Sequence, residues 1–231
     1  MPNPPIDPSA HFNDPMAVSA YADKARRLVP GWADLQKMVA LLVAERAPEQ
    51  ARVLVIGAGG GVELKVFAEM YPPWHFVGVD PSKPMLELAE AALAPHMARV
   101  QLHHGYVDTA PAGPFDAATC LLTMHFVAID ERRRTLEDIR RRLKPGAPFV
   151  MAHMSFPQAP GEQALWLSRY VAFAIASGAD PDGVRNAASA ISARLQLLGP
   201  DDEEAMLKAA GFAGTQLFYA GLAFRGWVAY A

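Results

Sequence analysis

The chain has 231 residues, of which 52% are hydrophobic and 19% charged, with a net charge of −3. That composition excludes a disordered chain, and the charge gives no general pull toward nucleic acid or anionic lipid. One cysteine, Cys120, rules out an internal disulfide, and no apolar stretch is long enough to span a membrane, so a cytoplasmic setting is expected.

The opening Met1-Pro2-Asn3-Pro4-Pro5 lacks the basic and apolar regions of a signal peptide, and residues 1–13 read as a loose tail. Residues 14–29 and 31–46 read as two helices parted by Pro30-Gly31, forming a helical cap over 14–46. The second carries Trp32, Leu35, Met38, Val39, Leu42 and Val43 on one face. A strand over 52–56 runs into the turn Gly57-Ala58-Gly59-Gly60-Gly61, and a helix follows to about 70. A second strand, 75–79, ends at Asp80, and Pro81-Ser82 opens a helix with Met85, Leu86 and Leu88. Strands follow at 99–103 and 116–121, and a helix over 130–143 is stopped by Lys144-Pro145-Gly146. A strand over 147–154 precedes a helical insertion, 160–198, built from helices at 160–178 and 181–197. A helix over 201–210 and strands at 214–220 and 223–230 complete the chain. The alternation predicts a single α/β domain over 1–231. Its sheet is parallel, covered by helices on both faces, with one antiparallel edge pair.

The glycine turn and Asp80 carry the chemistry. Bare backbone at Gly57, Ala58 and Gly59 lets a ligand lie close, and a carboxylate closing the next strand can accept from both hydroxyls of a ribose. Together they describe a pocket for an adenosine-bearing cofactor. A dinucleotide site wants a third glycine at the position of Val62, and here it falls at Gly61. That spacing, with Asp80 nineteen residues beyond Gly61, resembles class I S-adenosylmethionine-dependent methyltransferases. The whole element order is similar to their Rossmann-like seven-stranded fold.

A narrower resemblance runs along most of the chain. Arg27-Leu28-Val29-Pro30-Gly31-Trp32, Thr123-Met124-His125-Phe126, Leu143-Lys144-Pro145-Gly146 and Ala210-Gly211-Phe212 resemble the bacterial enzymes that make carboxy-S-adenosylmethionine for tRNA wobble-uridine modification. The departures favour a different reaction. Ala188 stands where those enzymes carry the arginine that pairs with the added carboxylate, Leu121 replaces an asparagine, and Trp32 replaces a tyrosine. Arg185 and Arg194 lie near Ala188 in sequence as substitutes. Val55 stands where many methyltransferases have an acid in strand one, and Tyr106 where an aspartate usually meets the adenine.

The resemblance implies S-adenosylmethionine as cofactor, bound by Gly57, Ala58, Gly59, Asp80, Pro81, Met85, Tyr106, Val107, Leu121, Leu122 and Arg27. Asp108 is an alternative to Tyr106 beside the adenine. Methyl transfer is an in-line displacement from a sulfonium, so alignment and exclusion of water suffice unless the acceptor must lose a proton. For that task His125 and His153, both after strand ends, are the candidate bases. Tyr21, Trp32, Trp166 and Tyr170 are candidate substrate contacts. His103-His104 has no metal-ligand spacing to complete it, and no metal is expected. Arg132-Arg133-Arg134 and Arg140-Arg141-Arg142, interleaved with Glu131, Glu137 and Asp138, read as a solvated helix face with local ion pairs, and a strip for nucleic-acid phosphates is the less favoured reading. The expected function is methyl transfer to a small molecule by a homodimer. The alternatives are carboxy-cofactor synthesis and a non-catalytic cofactor-binding module.

Overall fold

The computed structural model describes residues 21–231. The tail over 1–13, the helix expected from 14 as far as residue 20, and the Tyr21 side chain lie outside the described residues. The elements are α1 Tyr21–Leu28, α2 Trp32–Ala44, β1 Arg52–Ile56, α3 Val62–Met70, β2 His75–Asp80 and α4 Lys83–Ala92. A 3₁₀ stretch Ala94–Arg99, β3 Val100–His104, β4 Ala117–Leu121, a 3₁₀ turn Met124–Phe126, α5 Ile129–Arg141 and β5 Pro148–Met154 follow. The chain continues with α6 Glu162–Ala176, α7 Pro181–Arg194, α8 Pro200–Ala209, β6 Ala213–Gly221 and β7 Phe224–Tyr230.

The strands form one sheet in the order β3-β2-β1-β4-β5-β7-β6. β1 to β5 pair in parallel, and β7 runs antiparallel to both β5 and β6. The chain steps outward from β1 through β2 to β3 and then returns to β4 on the other side of β1. Such a reversal leaves a crevice at the carboxyl ends of the strands, where α/β proteins bind ligands.

Burial on both faces explains why these strands read as unbroken apolar runs rather than alternating ones. One face carries Val53, Val55, Ala117, Leu121, Val150 and Ala152 beneath Leu35, Val39 and Val43 of α2 and Leu64 and Phe67 of α3. The other carries Leu54, Ile56, Ala118, Cys120, Phe149 and Met151 beneath Leu136 and Ile139 of α5 and Leu207 of α8. Each large apolar side chain so buried contributes roughly 1.5–3 kcal/mol. α6 packs on α7 and also on α1. Arg27 of α1 reaches the same insertion, donating to the Gly178 carbonyl at 2.8 Å.

Candidate functional site

The turn after β1 is tied to the end of β2 by three hydrogen bonds, and a fourth fixes the Asp80 carboxylate. Gly57 and Ala58 donate their N–H groups to the Val79 carbonyl at 2.8 and 3.0 Å. Gly59 N–H donates to Asp80 Oδ2 at 2.9 Å, and Ser82 N–H donates to Asp80 Oδ1 at 2.8 Å. The sterics leave no room for side chains. Gly57 has φ +75°, and a Cβ there would run into the Thr123 hydroxyl. A Cβ on Gly59 would sit 2.8 Å from both Asp80 Oδ2 and Met85 Cε. Gly61, at φ +68°, lets α4 close in, since its Cβ would meet Ala89 Cα at 2.9 Å.

Burial pushes the Asp80 carboxyl above the usual aspartate range, opposed by the two backbone amides and by His104. A carboxylate offers about four acceptor positions, and the two amides take two. Two remain, which matches the two hydroxyls of a ribose. The residues present therefore fit an adenosine-bearing cofactor. The hydroxyl that caps α4 belongs to Ser82, which accepts from Met85 N–H at 3.3 Å, so Asp80 is not the cap itself.

Along the rim, Gly105 N–H donates to the Asp80 carbonyl at 3.1 Å and brings the end of β3 beside the crevice. Tyr106 is 59% exposed there, whereas Val107 is buried. Asp108 Oδ1 accepts from Thr109 N–H at 2.9 Å, directing that carboxylate into its own turn. Pro81 accepts from His104 Nε2 at 3.0 Å. Met85 is buried against Gly59. On the other side, Leu121 is buried and Leu122 is half-buried at φ +54°, a conformation that a bulky side chain rarely adopts. Leu122 is pinned there by its N–H donating to Ala152 O at 2.6 Å. The wall beside the glycine turn is therefore apolar and fixed.

The two candidate bases prove to be parts of a buried network. His153 is 0% exposed, with His125, Trp227 and Glu203 around it, and its Nε2 lies 3.5 Å from Glu203 Oε2. It packs on the face of the sheet covered by α5 and α8, fully buried, where a base for an incoming acceptor is not expected. His125 Nδ1 accepts from Met154 N–H at 3.5 Å. Burial, then His153 and Arg132, hold the imidazole well below its usual pKa. The neutral ring so arranged carries its proton on Nε2 and offers a donor there rather than a base.

Arg132 corrects the reading that put it on the solvated face of its helix. Its side chain is fully buried, its Nη1 lies 3.2 Å from Glu203 Oε1, and it donates to the carbonyls of Val127 and Gln196 at 2.9 and 2.7 Å. Arg133–Glu137 and Arg141–Asp138 are surface pairs of the kind expected. The signal for Arg132 was its spacing, since it shares the helical stripe of Leu136, Ile139 and Leu143.

The aromatic contacts also need revision. Trp32 is 6% exposed and belongs to the core under α2. Tyr170 is 4% exposed against Phe224, and burial pushes its hydroxyl up to about 12. Trp166 donates its N–H to Glu162 at 2.7 Å and is faced by Arg169 and Arg225. Arg27 is exposed, with its guanidinium on Gly178. Trp32 and Tyr170 are thus held in the packing, and Trp166 and Arg27 are engaged by internal hydrogen bonds. α6 and α7 border a groove of about 570 Å³ lined by Leu167, Val171, Ile175, Arg185, Ala188 and Ser192 among others. No residue of the glycine turn or the strand ends lines it. Arg185 is exposed and paired with Asp182 at 3.0 Å. Among the described residues no group of three or more His, Cys, Asp or Glu is placed to hold a metal ion, and no helix is long and apolar enough to cross a membrane.

One buried acid escaped the sequence reading. Glu63, in the first turn of α3, has its side chain against Thr119 of β4, and burial pushes its carboxyl up to about 8. An acid in a first helical turn ordinarily reads as an exposed charge favoured by the helix dipole, so nothing in the sequence marked it.

Residues 53–146, from the first strand to the start of β5, match the methyltransferase-domain family. The carboxy-S-adenosyl-L-methionine synthase of Chromohalobacter salexigens is 27% identical, covering 98% of this chain and 86% of its own length. A methyltransferase structure from Aquifex aeolicus, described as S-adenosylmethionine-dependent, superposes with a TM-score of 0.64 at 16% identity, over 94% of this chain and 98% of that one. An O-methyltransferase-like structure from Nostoc punctiforme gives 0.67 at 18% identity, covering 94% of this chain, which spans 59% of that longer one. These likenesses support a class I S-adenosylmethionine-dependent methyltransferase: residues 53–146 match a methyltransferase domain, and the relatives imply an enzyme with S-adenosylmethionine as its cofactor.

Proposed function

We propose that this enzyme transfers a methyl group from S-adenosylmethionine to a small-molecule acceptor, with the cofactor held between the glycine turn and Asp80. The observation that carries the reading is the 2.9 Å hydrogen bond from Gly59 N–H to Asp80 Oδ2, which brings bare backbone and a carboxylate to the same place. Asp80 would accept from the ribose hydroxyls, Gly57 and Ala58 would run beside the methionine portion, and Tyr106 and Met85 would flank the adenine. Bound there, the cofactor supplies an activated methyl group. The chain's task is then to align the acceptor and exclude water, for which the fixed apolar wall of Leu121 and Leu122 suffices. His125 contributes a hydrogen-bond donor, so the acceptor arrives already electron-rich. The α6–α7 insertion and α1 form the cap, and the reading carries a homodimer acting in the cytoplasm.

Calorimetry with S-adenosylmethionine and its demethylated product tests the proposal. Both should bind one site per chain, and absence of both heats would contradict it. A second reading, carboxy-cofactor synthesis, is favoured by the near full-length likeness to carboxy-S-adenosyl-L-methionine synthases. Against it, Ala188 supplies no cation, and both Arg185 and Arg194 are exposed. A buried carboxylate without a cation is costly. Mass spectrometry of the copurifying cofactor decides: an added carboxylate supports the second reading, and plain S-adenosylmethionine the first.

A further inference from the structure

Several buried polar atoms on the face of the sheet under α2 and α3 have no hydrogen-bond partner. They are Glu63 Oε1, Thr119 Oγ1 and both amide atoms of Gln36. Glu63 is 8% exposed, Gln36 2% and Thr119 0%. The Thr119 hydroxyl faces Glu63 closely enough to lower its pKa, yet the two fall short of ordinary hydrogen-bond geometry. Gln36 stands on α2, which packs against α3, β4 and β5. Unpaired buried polar groups are costly and call for a partner.

Their position says which partner. Glu63 lies two residues beyond Gly61 and Thr119 two before Leu121, directly beneath the turn and the apolar wall of the crevice. Two residues of strand span about 7 Å, within the reach of a glutamate side chain and a flexible ligand arm together. The groups around Glu63 supply acceptors and no cation. Thr119 faces it from β4, and the crevice above holds Asp80. The charged side chains of the neighbouring helices, Asp34 with Lys37 on α2 and Lys83 with Glu87 on α4, are engaged at the exposed surface. Among the described residues, no ion pair involves Glu63. An ammonium carries three donors and no acceptor, the complement of Glu63 Oε1, Thr119 Oγ1 and Gln36 Oε1.

We infer that Glu63 receives the α-ammonium of the cofactor's methionine arm, with Thr119 and Gln36 as neighbouring acceptors, an inference that rests on the cofactor reading above. A carboxyl held neutral in the free protein must then ionise as the cation arrives, so binding releases a proton. With its pKa near 8 the carboxyl is about nine-tenths protonated at pH 7, and affinity should rise about tenfold per pH unit below that value and level off above it.

The experiment compares two probes by calorimetry in buffers of different ionisation enthalpy. S-adenosylhomocysteine keeps the ammonium and lacks the sulfonium, whereas 5′-methylthioadenosine lacks the whole amino-acid arm. At pH 7 the wild type should release close to one proton with S-adenosylhomocysteine and none with 5′-methylthioadenosine, whose affinity should be flat with pH. Glu63→Gln should abolish the release and weaken S-adenosylhomocysteine at pH 8 by at least tenfold while leaving 5′-methylthioadenosine within twofold. Any release owed to Asp80 would persist in that variant. Equal proton release by wild type and variant, or equal losses for both probes, would overturn the inference and leave the cofactor reading standing. Failure of both probes to bind the wild type would overturn the two together.

Discussion

Two glutamates lie buried beneath opposite faces of the same sheet, and their surroundings differ in kind. Glu203 on α8 has Arg132 Nη1 at 3.2 Å and His153 Nε2 at 3.5 Å, with the arginine also donating to backbone carbonyls. Glu63 on α3 has a hydroxyl and no cation. The first charge is answered inside the protein, so its network is architecture that joins α5, α8 and β5. The second acid is left for something that arrives from outside. Burial alone does not separate structure from function here; the presence or absence of an internal partner does.

The largest effect expected from breaking this contrast is on the paired side. Arg132→Ala leaves Glu203 buried without its cation and should cost about 3–5 kcal/mol in denaturant unfolding. Replacing both partners with apolar residues, Arg132→Met with Glu203→Leu, should recover most of that. A loss under about 1 kcal/mol for the single variant would show that the pair is not structural.

On the unpaired side the sign reverses. The folded protein holds Glu63 protonated up to about pH 8, while the unfolded chain releases that proton near the ordinary glutamate value of 4.5. Between those values the folded state binds the extra proton, so Glu63 lowers stability progressively as pH rises through that window. At pH 7 the cost is roughly 3 kcal/mol, and Glu63→Gln should remove it. Paired melts at pH 5 and pH 8 check this: the variant's advantage should be small at the first and large at the second. An advantage independent of pH would refute it.

Asp80→Ala should weaken cofactor binding by about tenfold to a hundredfold, the loss of charge-assisted hydrogen bonds worth roughly 1.5–3 kcal/mol. Calorimetry against the wild type measures it, and an unchanged affinity would place the ribose elsewhere. The smallest effect concerns His125, held well below its usual pKa by burial. Its ring signals should not titrate through the ordinary histidine range in a nuclear magnetic resonance titration, and a midpoint near the ordinary histidine value would contradict its buried, neutral role.

The fold was legible because its signals are local. The apolar runs, the glycine turn and the Pro-Gly stops place every described strand within one or two residues of expectation. At the site, Gly57, Gly59 and Asp80 were legible for the same reason, since a bare turn and an acid at a strand end have few other uses together. Glu63 and Arg132 were not, because their roles depend on which face of the sheet their helices cover. The aromatic residues misled for the converse reason. Trp32 and Tyr170 have the composition of a binding surface, but packing turned them into the core.

The amide resonances of Gly57 to Gly61 and Ser82, followed as S-adenosylhomocysteine is added, test the account most directly. They should shift together, saturate at one equivalent and move more than those of α6 and α7. Shifts confined to the α6–α7 groove, with the Gly59 and Ser82 amides unmoved, would contradict it.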